Sequence, residues 1–181
     1  MRTFGFFCDP VAGLRAIIAI HSTALGPAAG GCRMFPYASE EDAVFDALRL
    51  SRGMSFKSAL AGVPMGGGKS VIIGDPATEK SQKLFEAFGR AVNTFDGRYH
   101  TGEDSGTAVQ DMDWASGVSD YIHGTSTEDA GDPSPATSVG IVAGIEAAVR
   151  YKLGRDDLEG LVVAIQGVGA VGYGAAEILH Q

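Results

Sequence analysis

The sequence feature that most constrains this chain is the segment GVPMGGGKSVIIGD at residues 62–75. Residues 71–73 are β-branched and apolar, which predicts a strand buried in the core. The three glycines at 66–68 have no Cβ and tolerate positive φ, so they predict a tight turn where another molecule can approach the main chain. The segment therefore delivers Lys69 to the start of a core strand, where burying a charge is costly.

The sequence GGGKS also resembles the end of a nucleotide-triphosphate loop. That loop requires a glycine five residues before its last glycine, and this chain has Val63 there. It also follows a strand and opens a helix, whereas Lys69 precedes a predicted strand. These mismatches argue against a phosphate loop. A glycine-rich loop carrying a solvated lysine is the simplest alternative, and it weakens only if partners for Lys69 occur elsewhere in the chain.

Charge and composition exclude several classes of partner. The 181 residues include 14 Lys and Arg against 22 Asp and Glu, a formal net charge of -8, and no basic run. This balance argues against nucleic acid or an anionic membrane as the partner. No apolar run has the length of a membrane span and no signal-peptide pattern follows Met1, so we expect a cytoplasmic protein. Two cysteines and four scattered histidines offer no metal-ligand spacing, so no metal site is predicted.

The hydrophobic pattern predicts an α/β protein. Strands are predicted at residues 4–8 and 14–21, paired across a turn at Gly13, at 71–73, and near Arg98. Helices are predicted at 39–52 and 54–61, interrupted by Gly53, and at 81–95, 107–118 and 136–151. Residues 25–34, LGPAAGGCRM, keep the backbone bare, which either the approach of a ligand or a tight strand crossing would explain.

A second glycine pattern follows the apolar run LVVAIQ at residues 161–166, which predicts a short strand. Gly167, Gly169 and Gly172 form a GxGxxG turn, and a helix is expected from about Ala170. This motif is weak alone, but directly after a strand and before a helix it has the context of a dinucleotide fingerprint. Bare N–H groups at the helix N-terminus would hold the pyrophosphate.

The acidic residue expected about 20 positions after that turn, which would bind the ribose, lies beyond Gln181. A sheet cannot form from one strand, so we expect a truncated Rossmann domain in a chain that is part of a larger enzyme. Composition changes near Pro133 and Pro135. We therefore divide the chain into a catalytic and oligomerisation domain at 1–134, and a linking helix with the first βα unit of the nucleotide domain at 135–181.

Five motifs occur in a fixed order: GPAAGGCRM, SRGMSFKSALAGVPMGGGKSVIIGDP, TGEDSGT, PATSVG and VVAIQGVGAVG. Together they strongly resemble the glutamate/leucine/phenylalanine/valine dehydrogenase family, and most closely its leucine and phenylalanine branch. The resemblance implies an N-terminal α/β substrate and oligomerisation domain followed by a Rossmann domain. It also implies NAD-dependent oxidative deamination of an L-amino acid to a 2-oxo acid and ammonia, in a cleft between the domains of a homo-oligomer.

The resemblance implies roles for individual residues. Lys69 would be the catalytic lysine, Asp104 would handle protons at the substrate nitrogen, and Lys57 would bind the substrate carboxylate. The residues expected to shape the side-chain pocket are Ala29, Gly30, Gly31 and Gly102. Those expected at the cofactor are Arg33, Ser105 and Thr137, with a phosphate turn formed by Gly167, Val168, Gly169, Ala170, Val171 and Gly172.

Physical chemistry supports the catalytic roles independently. Water that attacks an iminium carbon needs a base, and a lysine serves near neutral pH only if its pKa falls. Burial would lower the pKa of Lys69, and Lys57 could be a neighbouring cation that lowers it further. Asp104 can take a proton from the ammonium and return it. Glu103 is expected to lie at the surface instead.

Small residues at Ala29 and Gly102 leave room for a large side chain, so we favour phenylalanine over leucine or valine. No cation is evident for a second carboxylate, which argues against glutamate. The alternative is a non-catalytic dinucleotide-binding or regulatory relative, but such a protein is expected to have lost Lys57, Lys69 or Asp104. The 181-residue chain alone is expected to be inactive because most of the cofactor site is missing.

Overall fold

A computed structural model describes residues 3–128 and 132–180 of the chain. It divides into two compact units, Met1–Gly131 and Asp132–Gln181. The first contains six strands, β1 (Thr3–Asp9), β2 (Leu14–Ser22), β3 (Ala28–Ala29), β4 (Cys32–Phe35), β5 (Gly66–Ile73) and β6 (Tyr99–His100). It also contains helices α1 (Glu40–Leu60), α2 (Gln82–Asn93) and α3 (Val109–Ser116). The second contains α4 (Ser134–Leu153) and α5 (Ala170–His180). The predicted α/β class is confirmed.

Strand β5 is the centre of the sheet, whose order is β1-β2-β5-β3-β6 with β4 also paired to β5. The predicted hairpin is confirmed, because β1 and β2 pair antiparallel across the turn at Gly13, which has a φ of 74°. β2 runs antiparallel to β5, while β3 and β4 run parallel to it. All eight residues of β5 are buried, as expected for a strand with neighbours on both edges.

Alternate residues of β5 face different layers. Ile72 belongs to a large core that includes Phe85 and Phe88 of α2, whereas Val71 packs with Ala43 of α1 on the opposite face. Fully burying one such side chain contributes about 1.5–3 kcal/mol. Because side chains alternate along a strand, Lys69 lies on the same face as Val71, toward α1. The layered packing therefore fixes the direction of the lysine.

The prediction that glycines 66–68 form a turn was wrong. All three lie within β5, and their φ angles are outside the positive region. They are needed for close packing: a Cβ on Gly67 would lie 2.3 Å from Ser55 N, and one on Gly68 would lie 2.6 Å from the Tyr99 ring. The turn is earlier, at Gly62, which has a φ of 67°. Lys69 is therefore inside the strand rather than at its mouth.

Two further element predictions differ from the structure. Gly53 does not interrupt α1, since packing along β2 and β5 outweighs the roughly 1 kcal/mol that a mid-helix glycine costs. Residues 161–165 are not a strand, and Val162 is 98% exposed. No strand in the described parts of the chain pairs with this segment, and a strand without a neighbour cannot form the hydrogen bonds between strands that stabilise it. Helix α5 begins at Ala170, as predicted.

Candidate functional site

Lys69 is buried and ion-paired. Only 3% of the residue is exposed, and its Nζ lies 2.7 Å from Asp104 Oδ1. Asp104 follows β6 in a turn that Thr107 ties to β4: the Thr107 hydroxyl accepts from Asp104 N at 2.9 Å and donates to Cys32 O at 2.8 Å. The strand and the turn therefore bring together the two residues predicted to be catalytic, and the interpretation of Lys69 as a solvated loop residue was wrong.

Arg33 holds the other oxygen of Asp104. Its Nε donates to Asp104 Oδ2 at 3.0 Å, and its Nη1 donates to Asp46 Oδ2 at 2.9 Å. Asp46 also accepts from Tyr37 Oη at 2.8 Å and from Arg49 Nη2 at 2.9 Å. A continuous network thus runs from the buried lysine to a carboxylate on α1. The register of β4 on β5, which pairs Arg33 with Val71, aligns these groups.

The network shifts the pKa values of Lys69 and Asp104, the two residues predicted to be catalytic. Burial lowers the pKa of Lys69 below 10.5, the Asp104 carboxylate opposes this shift, and the Arg33 cation adds to it. Burial alone would raise the pKa of Asp104, but the charges of Lys69 and Arg33 outweigh it and hold that pKa below 3.8. The cation that lowers the lysine pKa is thus Arg33. Lys57, which we expected in that role, is an exposed residue in the last turn of α1.

The small residues predicted for the side-chain pocket line one cleft of about 250 Å³. Its lining consists of Ala29, Gly30, Gly31, Met65, His100, Thr101, Gly102, Glu103 and His123. Glu103, expected at the surface, is half-buried here. Close packing explains two of the glycines, since a Cβ on Gly30 would lie 1.8 Å from Gly68 O and one on Gly31 would lie 2.6 Å from Glu103 O. Tight crossing of strands, one of the two explanations for the segment, therefore accounts for Gly30 and Gly31.

His100 and His123 were not among the predicted site residues. His100 had a local signal, because it lies two positions before Gly102 along the same extended segment. His123 had none, because a long-range backbone bond from its N to Thr101 O at 2.7 Å carries it to the cleft. Such a contact cannot be read from spacing.

The remaining predicted residues are distributed over both units. In the first unit, Ser105 is exposed and its carbonyl accepts from Met34 N at 3.0 Å. In the second, Thr137 Oγ1 donates to Pro133 O at 2.9 Å within the first turn of α4.

The GxGxxG turn, Gly167, Val168, Gly169, Ala170, Val171 and Gly172, leads into α5 in the second unit. Gly167 has a φ of 88°, and a Cβ on Gly172 would lie 2.2 Å from Gly167 O, so both glycines are required by the turn itself. A Cβ on Gly169 would meet nothing within 4 Å. This bare turn before a helix N-terminus fits a pyrophosphate.

Across residues 3–128 and 132–180 there is no group of three or more His, Cys, Asp or Glu side chains that could hold a metal ion. Within the same ranges, every helix is too short or too polar to cross a bilayer.

Comparison with known proteins places these features in context. The family described as Glu/Leu/Phe/Val dehydrogenase, dimerisation domain, matches residues 8–120. A leucine dehydrogenase of Geobacillus stearothermophilus is 54% identical over 188 aligned positions, covering 100% of this chain and 51% of the relative. A phenylalanine dehydrogenase of Bacillus thermotolerans is 52% identical, covering 96% and 46%. The chain thus spans about half the length of the curated relatives it matches.

Solved structures share the fold. The L-tryptophan dehydrogenase of Nostoc punctiforme is 42% identical with a TM-score of 0.72, covering 98% of this chain and 50% of that one. The hetero-hexameric glutamate dehydrogenase of Thermus thermophilus has a TM-score of 0.79 at 22% identity, covering 99% and 47%, and shows the fold alone.

Proposed function

Because this chain belongs to the glutamate/leucine/phenylalanine/valine dehydrogenase family, we propose that the complete protein oxidises an apolar L-amino acid with NAD. The products are the 2-oxo acid, ammonia and NADH. The observation that carries this proposal is the pairing of the buried Lys69 with the half-buried Asp104, 2.7 Å apart, with Asp104 two residues from Gly102 of the cleft. Two groups able to accept and return protons thus lie at the edge of a pocket.

The chain's own residues then divide the work. Asp104, held as a carboxylate by Lys69 and Arg33, accepts a proton from the substrate ammonium and later returns it to the leaving nitrogen. Lys69, with its lowered pKa, accepts a proton from the water that attacks the iminium carbon. When bound, NAD supplies the acceptor for the hydride that leaves the α-carbon. Water is consumed, and the C–N bond breaks with release of ammonia.

Binding residues complete the proposal. Lys57, exposed on α1, binds the substrate carboxylate. The residues proposed at the cofactor are Arg33, Ser105, Thr137, Gly167, Val168, Gly169, Ala170, Val171 and Gly172. Arg33 is ion-paired to two carboxylates of the first unit, Asp104 and Asp46.

The cleft of Ala29, Gly30, Gly31 and Gly102 receives the substrate side chain. Its small residues support phenylalanine over leucine or valine, whereas leucine and phenylalanine dehydrogenases are both about half identical to this chain. The description of the matched family as a dimerisation domain supports assembly as a homo-oligomer.

Steady-state assays of the complete protein test this function. Phenylalanine, leucine, valine and glutamate are each supplied with NAD or NADP, and reduced cofactor is followed by absorbance. We expect turnover of the apolar substrates with NAD, the highest kcat/KM for phenylalanine, and no turnover by the 181-residue chain alone. If the complete protein binds NADH but oxidises none of these amino acids, it is instead a non-catalytic dinucleotide-binding relative.

A further inference from the structure

Two histidines form one wall of the cleft. His100 Nδ1 and His123 Nε2 are 2.8 Å apart, with the ring centroids 5.1 Å apart and the ring planes within 10° of each other. His123 Nδ1 also lies 3.3 Å from Glu128 Oε1. Glu128 is fixed in turn, because its Oε2 accepts from Gly124 N at 2.6 Å. Glu128, His123 and His100 therefore form a hydrogen-bonded series of titratable side chains, and the two histidines line the cleft.

The hydrogen bonds among His100, His123 and Glu128 limit how many protons these three side chains can hold together. With both rings neutral, His100 donates to His123 and His123 donates to Glu128. One added proton makes His123 a donor at both nitrogens, with His100 Nδ1 as the acceptor, so both the His100–His123 and the His123–Glu128 contacts survive. A second proton leaves no acceptor between the rings and breaks their bond. Burial and the neighbouring His123 lower the pKa of His100, which agrees with resistance to that second proton.

From this arrangement we infer that His100 and His123 are specificity-determining residues, whose shared proton disfavours an apolar side chain in the cleft. The inference rests on the proposed function, because it takes the cleft as the substrate side-chain pocket. An apolar group that covers an imidazolium removes its hydration without offering a hydrogen bond. Binding therefore favours the neutral pair. By linkage, affinity falls as pH drops through the titration of the free pair.

Other ionisable side chains lie near the pair. Tyr121 packs its ring 5.4 Å from His100, and Glu128 is bonded to His123. Glu103 lines the same cleft. Among these side-chain types, histidine is the one whose ordinary pKa lies closest to neutral pH.

The test compares the complete protein with a variant that keeps the hydrogen bond but cannot titrate. His100→Asn leaves an acceptor near the position of Nδ1, and His123→Gln leaves a donor near that of Nε2. The double variant therefore preserves the wall without a shared proton. His180→Gln, at an exposed residue of α5, controls for the loss of a histidine elsewhere.

KM and kcat for leucine are measured at pH 6 and 8, and leucine Kd is measured by calorimetry with NADH, which permits no oxidation. We expect KM and Kd of the wild-type protein and of His180→Gln to rise toward pH 6 by up to about tenfold, equivalent to one unit of linked pKa shift, with less change in kcat. The double variant should lose this rise.

Equal pH dependence of KM and Kd in the wild-type protein and the double variant overturns the inference, and so does failure to bind leucine at either pH. Absence of turnover with pH-dependent leucine binding that the double variant loses refutes the proposed function instead and supports this inference.

Discussion

At the scale of single residues, Lys69 shows how a strand can hold a reactive cation. Its neighbours along β5 are all buried, so the ammonium has little solvent to stabilise it. Asp104 provides a counter-charge, while Arg33 competes for the same carboxylate from its other oxygen. Because two cations share one carboxylate, the charge of each is less well compensated than in a simple ion pair, which suits the role of base proposed for Lys69.

Removing the second cation should therefore move the activity profile along the pH axis. Burial and the Arg33 charge both lower the pKa of Lys69, and Arg33→Gln removes the second of these. The pKa of Lys69 therefore rises, and full activity requires a higher pH. The profile of kcat/KM against pH measures the change.

Arg49→Gln is the matched control, because Arg49 also binds Asp46 but its side chain is 59% exposed. It should leave the profile in place. An Arg33→Gln profile that does not move, or that moves to lower pH, contradicts the role given to Arg33.

At the scale of elements, β5 carries the proposed catalytic lysine and packs closely against its neighbours. Its glycines were predicted to turn the chain, but they allow α1, the Tyr99 ring and the Ser22 carbonyl to approach β5 closely. The sequence signal was real, because glycine marks a close approach as well as a turn. Spacing alone could not choose between them, since the approaching groups come from residues far away in sequence.

Two substitutions, one in β5 and one in α1, test whether the glycines of β5 are required for close packing. Gly67→Ala places a Cβ 2.5 Å from Ser51 O and 2.2 Å from Ser55 Oγ, so α1 must retreat from β5. We expect destabilisation of about 1–3 kcal/mol or more, as for overpacked cores. The unfolding midpoint of the complete protein, measured at fixed protein concentration, reports the change.

Gly53→Ala is the control within the helix itself. A Cβ there meets nothing within 4 Å, so the change should stabilise the protein by about 0.5–1 kcal/mol through backbone entropy and helix propensity. A harmless Gly67→Ala would show that the glycines are not required for packing.

At the scale of the whole molecule, local sequence patterns predicted most of the helices and strands but fewer of the contacts between them. The hairpin at Gly13 and helix α2 could be predicted because their sequence signals are contiguous. The order of the motifs identified the family, and the motifs pointed to Lys69 and Asp104, which lie in contact in the structure. The strand predicted at residues 161–166 did not form, because an apolar run becomes a strand only beside another strand.

The contacts that could not be predicted share one cause. Arg33 reaches Asp104 across 71 positions, and His123 reaches His100 across 23. Both contacts depend on how the strands and turns pack, which no local period encodes. The sequence therefore singled out Lys69 and Asp104 but not the contacts that shift their pKa values.

The most direct test of the central claim is NADH formation by the complete Lys69→Ala protein with leucine and phenylalanine, alongside its affinity for NADH by fluorescence. Asp104 keeps Arg33 as an ion-pair partner in this variant, so the turn should remain in place. Lys83→Ala, at an exposed lysine of α2, is the control. We predict a loss of turnover of at least about a hundredfold with NADH affinity unchanged and normal activity in the control. Turnover within a few-fold of wild type in Lys69→Ala would contradict the account.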